Sequence, residues 1–275
     1  MNGGIRLSDM DMITTIMLED SISTISVGMS SVIGTRKEQQ DTIKADDDYA
    51  IMENGKFIAV LCDGMGGLSG GKQASEVCAT HIQDSFHAEE CEEDISQFFR
   101  RVIVEGDRKV SELRNESGEP LGAGSTMVCI VIKEDELHWS SVGDSHIYLI
   151  RGNQIRCITR DHNYSMLLEE KVKMGEITQQ EAETHPKREA LISYMGMGGV
   201  KYVDINATPF KLINEDYIVL CSDGLYRTVS EEDIKNIVQG IGEAEDAAEC
   251  LTEYAMRAHK MNQDNTSVVV IQYKN

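Results

Sequence analysis

Short apolar runs punctuate the chain, each closed by a charged residue or a turn. Phe57 to Cys62, Met127 to Ile132 and Tyr217 to Cys221 are uninterrupted, and Ser267 to Tyr273 has only two polar positions. Runs of this length, bounded by turn residues, predict buried strands, because buried helices need longer segments. Thr24 to Ser31 reads as the first strand. Tyr49 to Met52 and the run from Phe57 flank Asn54-Gly55, a pair suited to a two-residue hairpin turn. Met127 to Lys133 pairs with Leu137 to Val142, and His146 to Arg151 pairs with Gln154 to Thr159 across Gly152-Asn153.

Between these runs the period becomes helical. Ala74, Cys78, Ile82 and Phe86 recur every fourth residue beside Val77. Ile95, Phe98, Phe99, Val102, Val110 and Leu113 line a second stripe. A helical region spans about Ser165 to Met174, and Thr178 with Glu181 forms a capping box for another helix, ended by His185-Pro186. Ser230 opens a further helix, and one more runs from about Glu243 to His259. Each stripe reads as a core-facing surface. Hairpins and a meander, with helices inserted in pairs, predict an α+β class of largely antiparallel sheets covered by helices.

No Pro- or Ser-rich linker and no solenoid repeat divides the 275 residues, so one domain is expected. Residues 1–22 read as an acidic, Met-rich extension of unclear structure, followed by a domain over 23–275. Charge narrows the partners. Forty-seven acids against 26 Lys and Arg give a net charge of −21, which repels nucleic acid and anionic membranes. An anionic substrate would therefore need arginine or bound cations at its site. Seven cysteines without a CxxC pair read as buried reduced thiols. Met12 to Leu18, broken by Thr14 and Thr15, is too polar for a secretory core, and no segment reaches membrane-spanning length, so a cytoplasmic protein is expected.

The carboxylates carry the chemistry. Asp63, Asp144 and Asp223 each follow a predicted strand, and Asp264 precedes the last one. In an antiparallel sheet the end of one strand lies beside the start of its neighbour, so all four can meet at one edge. Clustered acids repel one another and need cations. Oxygen donors without nearby His or Cys suit Mg²⁺ or Mn²⁺. Taken singly, each Asp-Gly reads as an ordinary turn.

The blocks GTRKEQQD (34–41), VLCDGMGG (60–67), GAGSTMVCIVI (122–132), VGDSHIYLIRGNQI (142–155), ITRDHN (158–163), VLCSDGL (219–225) and NQDNTSVVVI (262–271) occur in the order of a known family. Together they resemble the type 2C, metal-dependent Ser/Thr protein phosphatases, in particular the bacterial-type members, from about residue 24 to 273. The resemblance implies a four-layer α-β-β-α sandwich with two Mn²⁺ or Mg²⁺ ions at one edge. It implies that Asp63 bridges the ions, that the Gly64 carbonyl contacts one, and that Asp223 and Asp264 hold the other. Asp144, with Asp223, matches the site of a third, weaker ion. Asp41 matches an acid that holds a metal-bound water, and Arg36 the arginine that clamps the substrate phosphate. The implied reaction is hydrolysis of phosphoserine and phosphothreonine by a hydroxide bridging the ions, which reverses Ser/Thr kinase signalling. The implied partners are phosphorylated proteins, including a cognate kinase and its substrates, and a monomer is expected.

Some positions depart from the family. Met65 stands where many eukaryotic members have a histidine, leaving the leaving-group acid open. His146 replaces the usual Arg after GDS and reads as a structural or exposed histidine. His162 reads as structural support. The segment from about 163 to 200 corresponds to a flap near the metals, in which Ser193-Tyr194 replaces the commoner Thr-Arg. Three other readings compete. Gly66 to Lys72 approaches a phosphate-binding P-loop, but Gln73 occupies the position of the Mg²⁺-binding hydroxyl. Asp46-Asp47-Asp48 suggests calcium without EF-hand spacing. A catalytically weak or inactive member acting as a regulatory scaffold is the main alternative.

Overall fold

The computed structural model describes residues 23–47, 55–67, 70–88, 94–258 and 262–275. The strands and helices in chain order begin with β1 (Thr24–Val32), β2 (Asp41–Ala45), β3 (Lys56–Met65), α1 (Gly70–Ala88) and α2 (Ile95–Ser111). There follow β4 (Gly124–Ser125), β5 (Met127–Lys133), β6 (Glu136–Val142), β7 (His146–Arg151), β8 (Gln154–Cys157), α3 (Tyr164–Lys173) and α4 (Gln179–Glu183). The chain continues through β9 (Asp204–Ile205), β10 (Phe210–Lys211), β11 (Asp216–Cys221), α5 (Asp223–Tyr226), α6 (Glu231–Ile241), α7 (Ala244–Arg257) and β12 (Thr266–Lys274).

The strands form two sheets, one ordered β1-β12-β11-β7-β8 and the other β10-β6-β5-β3-β2, with β4 and β9 attached to the second. Every pairing of named strands is antiparallel. A P-loop nucleotide hydrolase needs its strand and helix in a parallel βαβ unit, so this topology excludes that reading.

The central strands are mostly apolar because both faces are buried. On β3, Phe57, Ala59 and Leu61 point into the core between the sheets, where they meet Ile218, Leu220, Val269 and Ile271. Their alternates Ile58, Val60 and Cys62 pack under α1 and α2, against Cys78, Phe98 and Phe99. On the far side, Val219, Cys221, Val268 and Val270 pack against Ile234 and Val238 of α6 and Leu251 of α7. The period of two thus sorts one sequence run into two cores, which gives the four-layer α-β-β-α sandwich.

Local signals agree with these boundaries. Thr178 and Glu181 form the reciprocal capping box, and Ser230 caps α6. The expected strand at Tyr49 to Met52 lies outside the described residues, as do residues 1–22 and Cys91. The described partner of β3 on that side is β2, which the sequence reading lacked. Asp63 is also one step earlier than expected: it lies inside β3, opposite Asp41 of β2. The described cysteines are free thiols, four of them buried.

Candidate metal centre

Register places the acids. The β2–β3 ladder sets Asp41 against Asp63, and the backbone N–H of Asp63 donates to Thr126 Oγ1 at 2.9 Å. Its carbonyl in turn accepts the N–H of Thr126 at 2.8 Å, so the strand end is held from both sides. Next to it, Gly64 tolerates no side chain. A Cβ there would stand 2.1 Å from the Gly71 carbonyl oxygen, where the start of α1 crosses β3.

The other sheet contributes from its matching edge. Asp223 opens α5 directly after β11, Asp264 precedes β12, and Asp144 lies in the turn between β6 and β7. Ser222 Oγ donates to Asp41 Oδ2 at 2.8 Å and accepts the Ser267 N–H at 3.0 Å, which links the two sheets behind the cluster. Asn265 secures the entry loop: its Oδ1 accepts from the Gln40 N–H at 2.9 Å, and its Nδ2 donates to the Ile33 and Glu38 carbonyls.

These elements enclose a cavity of about 720 Å³ lined by Asp63, Gly64, Asp144, Asp223, Asp264 and Arg36 among others. Asp41 sits buried behind it, bonded through Ser222. The structure therefore brings all the sequence-predicted site residues to one edge. Arg36 is paired with Asp264 at the rim.

The electrostatics are those of acids short of positive charge. Burial, then Asp41, Asp223 and Asp144, push Asp63 well above the carboxylate range. Burial is also the main cause that raises Asp41 to about 6 and Asp144 to about 7. Asp223 is raised by burial and by Asp264, against the pull of Arg227 and Arg36. Two buried oxygens, Asp41 Oδ1 and Asp223 Oδ1, find no hydrogen-bond partner among the described residues. Orphan carboxylate oxygens and an all-oxygen donor set fit hard divalent ions. Among the described residues no three acid, imidazole or thiol groups are gathered closely enough to hold an ion by themselves. Mg²⁺-type ions bind in that open manner, through one or two carboxylates each, with water completing the shell.

One residue at the cavity escaped the sequence reading. Arg227 lines it and pairs with Asp223 at 3.1 Å. Its signal was the i,i+4 spacing from Asp223, hidden because α5 is a four-residue helix without a periodic stripe. His146 is a structural residue of unusual kind. It bonds Tyr148 Oη at 2.9 Å and Asp161 at 2.8 Å and stacks on Tyr226 at 3.7 Å. His162 is buried, and its Nδ1 accepts the Gly143 N–H at 3.2 Å, in keeping with a supporting role for the turn that carries Asp144. In the segment 163–200, Ser193 is tied to Tyr202 at 2.8 Å, and the Tyr194 ring packs on Gly124. Only Glu189 and Leu191 of that segment line the cavity.

Comparison with known proteins agrees with the geometry. The family described as Protein phosphatase 2C matches residues 25–171. The serine/threonine phosphatase stp of Listeria welshimeri is 30% identical over 199 residues, covering 70% of this chain and 77% of the relative. The solved structure of the S. agalactiae serine/threonine phosphatase superposes with a TM-score of 0.76 at 27% identity, covering 90% of this chain and 98% of that one. The catalytic domain of the phosphatase PstP in complex with two manganese ions superposes with a TM-score of 0.72 at 25% identity, covering 92% of this chain and all of that one. With its ordered motifs, antiparallel sandwich and edge cluster of acids, the chain belongs to the protein phosphatase 2C family.

Proposed function

We propose that the cavity is a dinuclear Mn²⁺ or Mg²⁺ centre that hydrolyses phosphoserine and phosphothreonine on proteins. The observation that carries the reading is the convergence of Asp63, Asp223 and Asp264 on one cavity with Arg36 at its mouth. Two divalent ions supply the positive charge the acids lack and acidify the attacking water. Asp63, the neighbouring Gly64 carbonyl, Asp223 and Asp264 are the groups that would hold these ions. Asp41, with one oxygen held by Ser222, would hold a water beside the ions through its other oxygen, which has no partner among the described residues.

Arg36 is the phosphate clamp. Its side chain is 56% exposed, so its pairing with Asp264 is worth at most about 1 kcal/mol and is readily exchanged for a phosphate. A guanidinium matches two phosphate oxygens at once, which suits charge that grows on them during displacement. No histidine lines the cavity among the described residues, so the leaving-group proton is not assigned to one. The relatives support phosphorylated Ser/Thr proteins as substrates, and reversal of a cognate kinase in the cytoplasm, by a monomer, extends that reading. Among the described residues no helix is long and apolar enough to cross a membrane.

The test is turnover of p-nitrophenyl phosphate and a phosphothreonine peptide with Mn²⁺. Asp223→Asn should lower kcat by about 10³-fold or more, since a lost charge ligand removes several kcal/mol of transition-state stabilisation. Absence of metal-dependent turnover in the unaltered protein would favour the scaffold alternative.

A further inference from the structure

The resemblance implies a third ion between Asp144 and Asp223. In this chain a guanidinium already stands there. Arg227 Nη2 lies 3.5 Å from Asp144 Oδ2, and its Nε lies 3.1 Å from Asp223 Oδ2. The same Nη2 is 3.4 Å from Glu189 Oε2. Three carboxylates, from the turn before β7, the start of α5 and the segment after α4, thus surround one partly exposed guanidinium.

Local structure aims it. Arg227 caps the C-terminus of α5, one turn beyond Asp223, so its side chain leans back over the acid. The turn is held from outside as well, because His146 stacks on the neighbouring Tyr226 with the rings 13° from parallel. A guanidinium stays charged at every working pH and offers several N–H donors to carboxylates. It satisfies the demand that would otherwise recruit a metal ion, and a divalent cation could enter only by displacing it.

We infer that Arg227 is the built-in counter-ion of the Asp144–Asp223 position, so that this protein holds two divalent ions and excludes the third. Through Glu189 the same guanidinium fastens the 163–200 segment to the cavity wall. The inference rests on the reading that Asp63, Asp223 and Asp264 hold the two ions.

Calorimetric titration of the full chain with Mn²⁺, checked by electron paramagnetic resonance counting of bound ions, tests it. The unaltered protein should bind two ions. Arg227→Ala and Arg227→Met, the second keeping the aliphatic bulk, should gain a third whose affinity is about tenfold or more above any Asp144-dependent binding in the parent. Adding Asp144→Asn to either variant should remove that third ion. A parent that binds three ions, one of them lost in Asp144→Asn, overturns the inference. So does an Arg227→Met protein that folds and stays at two. Binding of fewer than two ions by the parent overturns the dinuclear reading itself, and the inference with it.

Discussion

At the scale of single residues, His146 shows how a substitution can be absorbed. Burial alone would lower the pKa of its imidazole, but the hydrogen bond to Asp161 and the nearby Cys157 reverse this and hold it at about 9. The folded protein therefore keeps a proton that the unfolded chain releases near 6.5. Its stabilisation is complete below pH 6.5 and is lost as pH rises through about 9. His146→Gln should cost up to about 3 kcal/mol at pH 6 and much less at pH 9.5, measured by urea unfolding. A gap of equal size at both pH values would sink this account. Residues differ in how visible they were. Asp63, Asp223 and Asp264 announce themselves because an acid at the end of an apolar run has no packing reason to be there. Arg227 and Asp161 do not, since their meaning arises only from what the fold lays against them.

The elements repeat the same contrast. β3, β5, β11 and β12 were legible because burial on both faces leaves few polar positions between their ends. β2 was not: Asp-Thr-Ile-Lys-Ala lies at a sheet edge, half-buried, and carries a strand's alternation too briefly to register. Yet β2 brings Asp41 opposite Asp63. The helices were visible from their stripes, while α5, β9 and β10 are too short for any period. Where β3 meets α1 the packing is tightest, and Gly64→Ala should lower stability by about 3 kcal/mol, since backbone on both sides must move. Gly67, with no described atom within 4 Å of its would-be Cβ, is the control, and Gly67→Ala should stay within about 0.5 kcal/mol. Thermal unfolding of the pair checks this, and equal midpoints would mean that the crossing is looser than described.

For the molecule as a whole, a net charge of −21 and a buried knot of acids make divalent ions part of the fold's stability. At about 100 times Kd, Mn²⁺ should add about 2.7 kcal/mol, or roughly 5–10 °C in Tm. Asp63→Asn should abolish that gain, and NaCl of equal ionic strength should not reproduce it. A shift that survives in the variant would point to surface screening. The layering and the meeting of the acids at one edge were legible because antiparallel pairing constrains where strand ends fall. The joining of distant loops was not, because hydrogen bonds such as those from Asn265 to Ile33 and Glu38 leave no trace in local pattern. That joining has a consequence for synthesis. β12 lies between β1 and β11, and Asp264 meets Arg36 across 228 positions of sequence. While the chain is still emerging from the ribosome, β1 and β11 each present a bare edge and the acid cluster lacks a member. The acid cluster is therefore complete only once β12 has slotted into its gap between β1 and β11.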